Sequence, residues 1–203
     1  MSTKTSQELF RSNAVALVET IADMIRVIRD VDLGNVNEEE VEDLAAVVDS
    51  IQAIELVEMF ILQEELWPKI VARDTAFIRQ DLPRVFEGVA FNIDLLMLPI
   101  TVYYDLVNGK YTDQFSNEDW PITSEDIDGL WNYCDKLLRH AYNYAKTKGN
   151  ALGQITDTAN TKIATINIDR KRMDLQPLPL KRRVDLSLYE HYIQKLNDKL
   201  KSK

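Results

Sequence analysis

Apolar residues recur at steps of three and four along most of this chain, the spacing of one buried helical face. Phe10, Ala14, Leu17, Ile21, Met24 and Ile28 predict a first helix over residues 6–30. Thr5-Ser6-Gln7-Glu8 fits a capping box at its start, and Asp32-Leu33-Gly34-Asn35 stops it. Asn37 and Glu40 open a second helix by the same device, with Val41, Leu44, Val48, Ile51, Ile54 and Ile61 inward. It ends near Trp67, because the residue before Pro68 is pushed out of the α region. Pro68 then starts a short third helix with Ile70, Phe77 and Ile78 as its apolar points.

From Pro83 to Asn108 the pattern changes to a run that is apolar nearly all round, the mark of a helix buried on all sides. Its length approaches a membrane span, but Glu87, Asn92 and Asp94 lie within it, and a carboxylate at mid-bilayer costs roughly 2.5 to 3.5 kcal/mol. The expectation is therefore a central core helix, kinked at Pro99, which lacks a backbone donor, and capped by Asn108-Gly109. The implied fold class is all-α, an irregular helical bundle around that central apolar helix.

Tyr111, Phe115 and Trp120 should pin an irregular stretch from Lys110 to Ile122. Thr123 and Asp126 cap the next helix, whose face is Ile127, Leu130, Trp131, Cys134, Leu138, Ala141 and Tyr144. It closes at Gly149, where the composition shifts. Three units follow: a helical body at 1–149, an extended basic arm at 150–186, and a C-terminal helix at 187–203. Within the arm, Ala164, Ile166 and Ile168 alternate like a strand, whereas Leu152, Ile155, Ala159, Ile163 and Ile166 fit a helix. Thr156, Thr158, Thr161 and Thr165 favour extended structure or a short β segment, and Pro177 and Pro179 enforce an extended course. The last helix, capped by Ser187 and Glu190, carries Tyr189, Tyr192, Ile193, Leu196 and Leu200 on one face. Isolated helices of that length are marginal in water, so it should dock on this body or on another subunit.

Charge divides the chain at the same place. Residues 150–203 hold 11 Lys and Arg against 6 Asp and Glu, a net +5, while residues 1–149 hold 13 against 27, a net −14. An acidic body does not bind nucleic acid by neutralising phosphates, so contact of that kind would fall to the arm alone. The single cysteine, Cys134, excludes an intramolecular disulfide and gives no metal-site spacing. MSTKTSQELF shows neither an apolar core nor a cleavage site of a secretory signal. The expected setting is a cytoplasm, with no membrane partner; a host cytoplasm and virion apply if the protein is viral.

Glu38, Glu39 and Glu42 fit an EExxE pattern, and Glu55-Leu56-Val57-Glu58 lies where the all-α MazG-like nucleotide pyrophosphohydrolases carry ExxD. The stretch from Glu38 to Glu58 resembles that family, with Glu58 in place of the aspartate. The resemblance implies carboxylates that hold magnesium against a nucleoside triphosphate. On one straight helix, Glu55 lies about 260° and Glu58 about 200° round from Glu38. Convergence then needs a break at Asp49-Ser50 or carboxylates from another subunit.

No other constellation carries chemistry, and no catalytic, cofactor-binding or metal-binding residue is assigned. His140 and His191 form no ligand pair at helical spacing. Cys134 falls on an apolar stripe, where a buried thiol is inert. No GxSxG elbow or Gly-rich phosphate loop is present. Asp94 stands out only because it interrupts the central helix.

The arm is the remaining feature. Arg170, Lys171 and Arg172 form one basic cluster and Lys181, Arg182 and Arg183 a second, around a Leu178-Pro179-Leu180 core suited to an apolar groove. No aromatic lies between Leu152 and Leu188 to stack on bases. The charge difference favours an arm that lies across the acidic body of a neighbouring subunit, with Tyr189, Tyr192, Ile193 and Leu196 joining the contact. The function expected is that of a non-enzymatic assembly protein that binds protein subunits, in a virus or phage particle as capsid, neck or tail component. A MazG-like hydrolase and an acidic inhibitor of a basic partner are the alternatives.

Overall fold

The computed structural model describes residues 4–34, 36–90, 92–116 and 119–201. Asn35 of the first stop signal, Phe91 of the expected central helix and the last two residues of the chain lie outside them. The described residues form an all-α protein, and no strand occurs among them. Eight α-helices follow in order: α1 Ser6–Asp30, α2 Glu38–Asp49, α3 Ala53–Ile61, α4 Leu66–Ala72, α5 Ile93–Val107, α6 Ser124–Lys148, α7 Leu152–Arg172 and α8 Leu186–Lys201. No helix among the described residues is long and apolar enough to cross a membrane.

The two capping boxes form as their sequences require. The Thr5 amide donates to Glu8 at 2.7 Å and the Thr123 amide to Asp126 at 2.8 Å, which satisfies backbone donors that have no helical partner. The pair of long helices so started, α1 and α6, pack against each other and form the spine of the molecule. Phe10, Leu17, Ile21 and Ile25 of α1 and Leu130, Cys134, Leu138 and Ala141 of α6 are fully buried.

The stretch from Pro83 to Asn108 is not a central helix. Its first part is a 3-10 turn, Leu82–Phe86, and Gly88 sits at φ +85°, a left-handed conformation that ends helical continuity. Only Ile93–Val107 is α-helical, and it runs through Pro99 without ending. It packs on α1 and on the turns at 77–86, while Ile93 and Val107 are exposed. Asp94 is exposed in its first turn, where a carboxylate suits the positive end of the helix dipole. An apolar run that mixes a turn, a loop and an edge helix had looked like one element buried all round.

Residues 37–67 also differ from the single helix expected. The apolar stripe of α2 is Val41, Leu44 and Val48, whereas that of α3 is Leu56, Val57, Phe60 and Ile61. On one continuous helix the second stripe would lie roughly 150° round from the first. The chain breaks at Ser50–Gln52 to turn both inward, and Ile54, expected inside, is exposed.

Residues 152–172 are helical rather than extended, and the terminal helix belongs to the same body as the rest. A row of aromatic rings crosses four helices: Phe10 on Phe60 at 5.3 Å, Phe60 on Trp67 at 5.8 Å, and Trp67 stacked on Tyr189 at 3.8 Å between centroids. The Tyr189 hydroxyl donates to the Ile61 carbonyl at 2.5 Å. Lys199 donates to the Val71 carbonyl at 3.0 Å, and Arg139 of α6 to Asn197 at 2.6 Å. Just past α4, Arg73 adopts φ +57° and its guanidinium meets the buried carboxylate of Asp135 at 2.5 and 3.0 Å. Burial raises the pKa of Asp135, and Arg73 opposes that rise.

Candidate functional site

Between the body and the C-terminal third lies a groove of about 870 Å³. Ile54, Met59 and Leu62 of the α3 region form one wall. Ile163 and Ile166 of α7, with Leu178, form the other. At one end the Tyr144 hydroxyl donates to Glu58, and Lys148 lies over the Tyr144 ring, 3.9 Å from the same carboxylate. Burial, then Glu58, pushes the Tyr144 pKa well above that of an ordinary phenol. Gly88 also lines the groove, close against Met59: a side chain there would meet Met59 Sδ at 3.1 Å.

The second wall is a hairpin of unusual construction. Only the start of α7 is buried, at Leu152, Ile155 and Thr156; the helix then leaves the body, and residues 173–185 return alongside it. Two asparagine side chains hold the return. Asn160 donates to the Lys181 carbonyl at 3.0 Å and accepts from the Lys181 amide at 2.8 Å. Asn167 treats Leu178 in the same way, at 3.0 and 2.7 Å.

The spacing explains why the pairs fit. Seven residues of α-helix rise about 10.5 Å, and three residues of polyproline-like chain advance about 9.3 Å and return to the same face. Pro177 and Pro179 lack amides, so Leu178 is the residue between them able to give both bonds. Beyond the pairs, Arg170 Nε donates to the Gln176 carbonyl at 2.6 Å. Ion pairs of Lys181 with Glu87 at 3.1 Å and Arg183 with Asp157 at 3.8 Å tie the base.

The distal part of this hairpin is bare. Ile166, Ile168, Met173, Leu175, Leu178 and Leu180 make up six of the twelve large apolar side chains exposed among the described residues. Ile166 and Leu178 face the groove, while Ile168 and the turn residues Met173 and Leu175 lie outside its lining, exposed near charged side chains, the kind of surface an interaction site presents. Lys171, Arg172 and Arg182 are exposed beside it, and Arg172 is 3.2 Å from Asp169.

The expected contact residues therefore divide into two groups. Arg170, Lys171, Arg172, Leu178, Leu180, Lys181, Arg182 and Arg183 come together on the hairpin. Tyr189, Ile193 and Leu196 are buried in this chain's own core, and Tyr192 is half-buried against it. In this structure these four pack within the chain's own body. Asn160 and Asn167 were not recognised in the sequence; the signal was present as two asparagines seven apart upstream of a Pro-x-Pro segment.

The acidic residues of the MazG-like pattern are differently engaged. The helix break that convergence required does exist, after Asp49. Glu38, however, bonds Arg26 at 2.9 Å and pairs with Arg29, while Glu58 bonds Tyr144. Among the described residues no group of three or more His, Cys, Asp or Glu is placed to hold a metal ion. His191 is exposed; His140 is half-buried, and its pKa is lowered by burial, then by Lys136 and Arg139. The thiol of Cys134, pushed up to about 12 by burial, stays protonated. Comparison with protein-family models, with curated proteins and with solved structures gives no match.

Proposed function

We propose that this is a non-enzymatic assembly protein whose C-terminal third binds a neighbouring copy of the chain. The observation that supports this reading most is the bare distal hairpin, where half of the exposed large apolar side chains lie among basic residues. A net +5 tail on a chain whose remainder carries −14 favours and steers association between copies. Glu38 is engaged by Arg26 and Arg29 and Glu58 by Tyr144 and Lys148, and the hydrolase reading has no gathered set of three ligands among the described residues.

The test is the absolute mass of the full chain by light scattering across protein concentration, at low and moderate salt. The wild type should form species heavier than one chain. Ile168→Glu with Met173→Glu and Leu175→Glu should shift them toward single chains while leaving the helical circular dichroism unchanged. A wild type that stays a single chain at every concentration and salt overturns the proposal.

A further inference from the structure

The Asn160 and Asn167 pairs touch only the main chain of Leu178 and Lys181. The same segment from another copy satisfies them equally. Pro177 and Pro179 hold that segment extended whether or not it is docked, so transferring it from one helix to another forfeits little order. The segment continues into α8, whose anchors Tyr189, Ile193 and Leu196 fit the α4 and α6 surfaces of any copy. The only part unique to the closed form is the turn. There Asp174 sits at φ +56°, a conformation glycine adopts freely and aspartate less readily, and the flanking Met173 and Leu175 are exposed.

We propose that residues 176–201 exchange between two copies, each laying its return segment on the second copy's α7 and its α8 on the second copy's body. Resting on the assembly reading above, the exchange names both the partner and the mode of binding. The Lys181–Glu87 and Arg183–Asp157 ion pairs then form between copies, which places the basic segment across an acidic neighbour. Opening residues 173–175 gives each chain about 10 Å of reach, so the two α7 helices must meet end to end. That arrangement brings Ile168, Met173 and Leu175 of both copies together and covers the apolar surface that the closed form leaves bare. The pairing is isologous and closes as a dimer.

Shortening the turn tests the exchange. With Asp174 deleted, the turn is too short for the segment to return in register to its own α7, while Met173 and Leu175 still bridge to the second copy. The expected product has twice the mass of one chain at all concentrations, with the Leu178 and Lys181 amides as protected from hydrogen exchange as in the wild type. Asp174→Gly, which relaxes both turns of the closed form, should move the wild-type equilibrium toward single chains by roughly ten-fold. A shortened variant that remains a single chain, with those amides exchanging freely, overturns the exchange. So does wild-type association that ignores both turn variants yet disappears with the Ile168, Met173 and Leu175 substitutions; in that case the assembly reading survives through surface docking. A wild type that never associates overturns both.

Discussion

The C-terminal third contains two helices of opposite character. α8 is docked on the body by a stacked indole and phenol, a buried hydroxyl bond and two aliphatic anchors. α7 is buried only near its start, at Leu152, Ile155 and Thr156, whereas the three buried residues of α8 are spread over two turns. The rest of α7 is partnered mainly by the segment that follows it. One helix is held by apolar burial and the other by asparagine side-chain bonds to the returning main chain, and the two kinds of attachment respond to different perturbations. Burial resists local opening because it fails only when the body does, whereas solvent-exposed bonds open alone.

The largest expected effect lies on the α8 side. Tyr189→Ala removes the ring on Trp67 and leaves a cavity, so it should lower unfolding free energy by about 3–5 kcal/mol, read from urea denaturation. A much smaller loss would mean that α8 is not part of the cooperative unit. Asp135→Ala strands the Arg73 guanidinium and should cost about 3 kcal/mol by the same measurement. The hairpin should behave otherwise. Asn160→Ala with Asn167→Ala should leave the global transition in place while speeding hydrogen exchange at Leu178 and Lys181 by about 5- to 30-fold, the equivalent of roughly 1–2 kcal/mol. Loss of global stability on that scale would erase the distinction between the two helices. Leu178→Asp with Leu180→Asp should shift stability by no more than about 0.5 kcal/mol and weaken association.

The smallest effect concerns pH. Asp185 accepts from the Ser187 hydroxyl and amide and from the Leu188 amide at the start of α8. These bonds, the Ser187 hydroxyl first, hold its pKa below the usual aspartate value. Its contribution is therefore present above the unfolded value of about 3.9 and is lost as pH falls through the lower folded value. Urea midpoints of the wild type and Asp185→Ala should differ at neutral pH and converge as pH falls through the lowered folded value.

The helices that the sequence disclosed best were those with caps and one steady stripe. Thr5–Glu8 and Thr123–Asp126 announced α1 and α6, the two helices at the centre. Where the stripe changed phase, at Ser50–Gln52, nothing local marked the break, since no Gly or Pro stands there. The apolar run after Pro83 misled because hydrophobicity reports burial without reporting geometry. Threonines and alternating isoleucines in 150–168 pointed to extended chain; a helix wins there because Asn160 and Asn167 gain main-chain partners only from helical spacing. The basic clusters were visible as candidates, but their position on a hairpin depended on contacts across 11 and 21 residues.

The asparagine pairs measure length and do not read letters. Each carboxamide meets a peptide unit, so the side chains at Leu178 and Lys181 are free to vary as far as the pairing is concerned, and only the number of residues between them is fixed. A single insertion or deletion between 178 and 181, or between 160 and 167, breaks the match of two helical turns to three extended residues. This stretch should therefore drift readily in residue identity over evolutionary time and hardly at all in spacing.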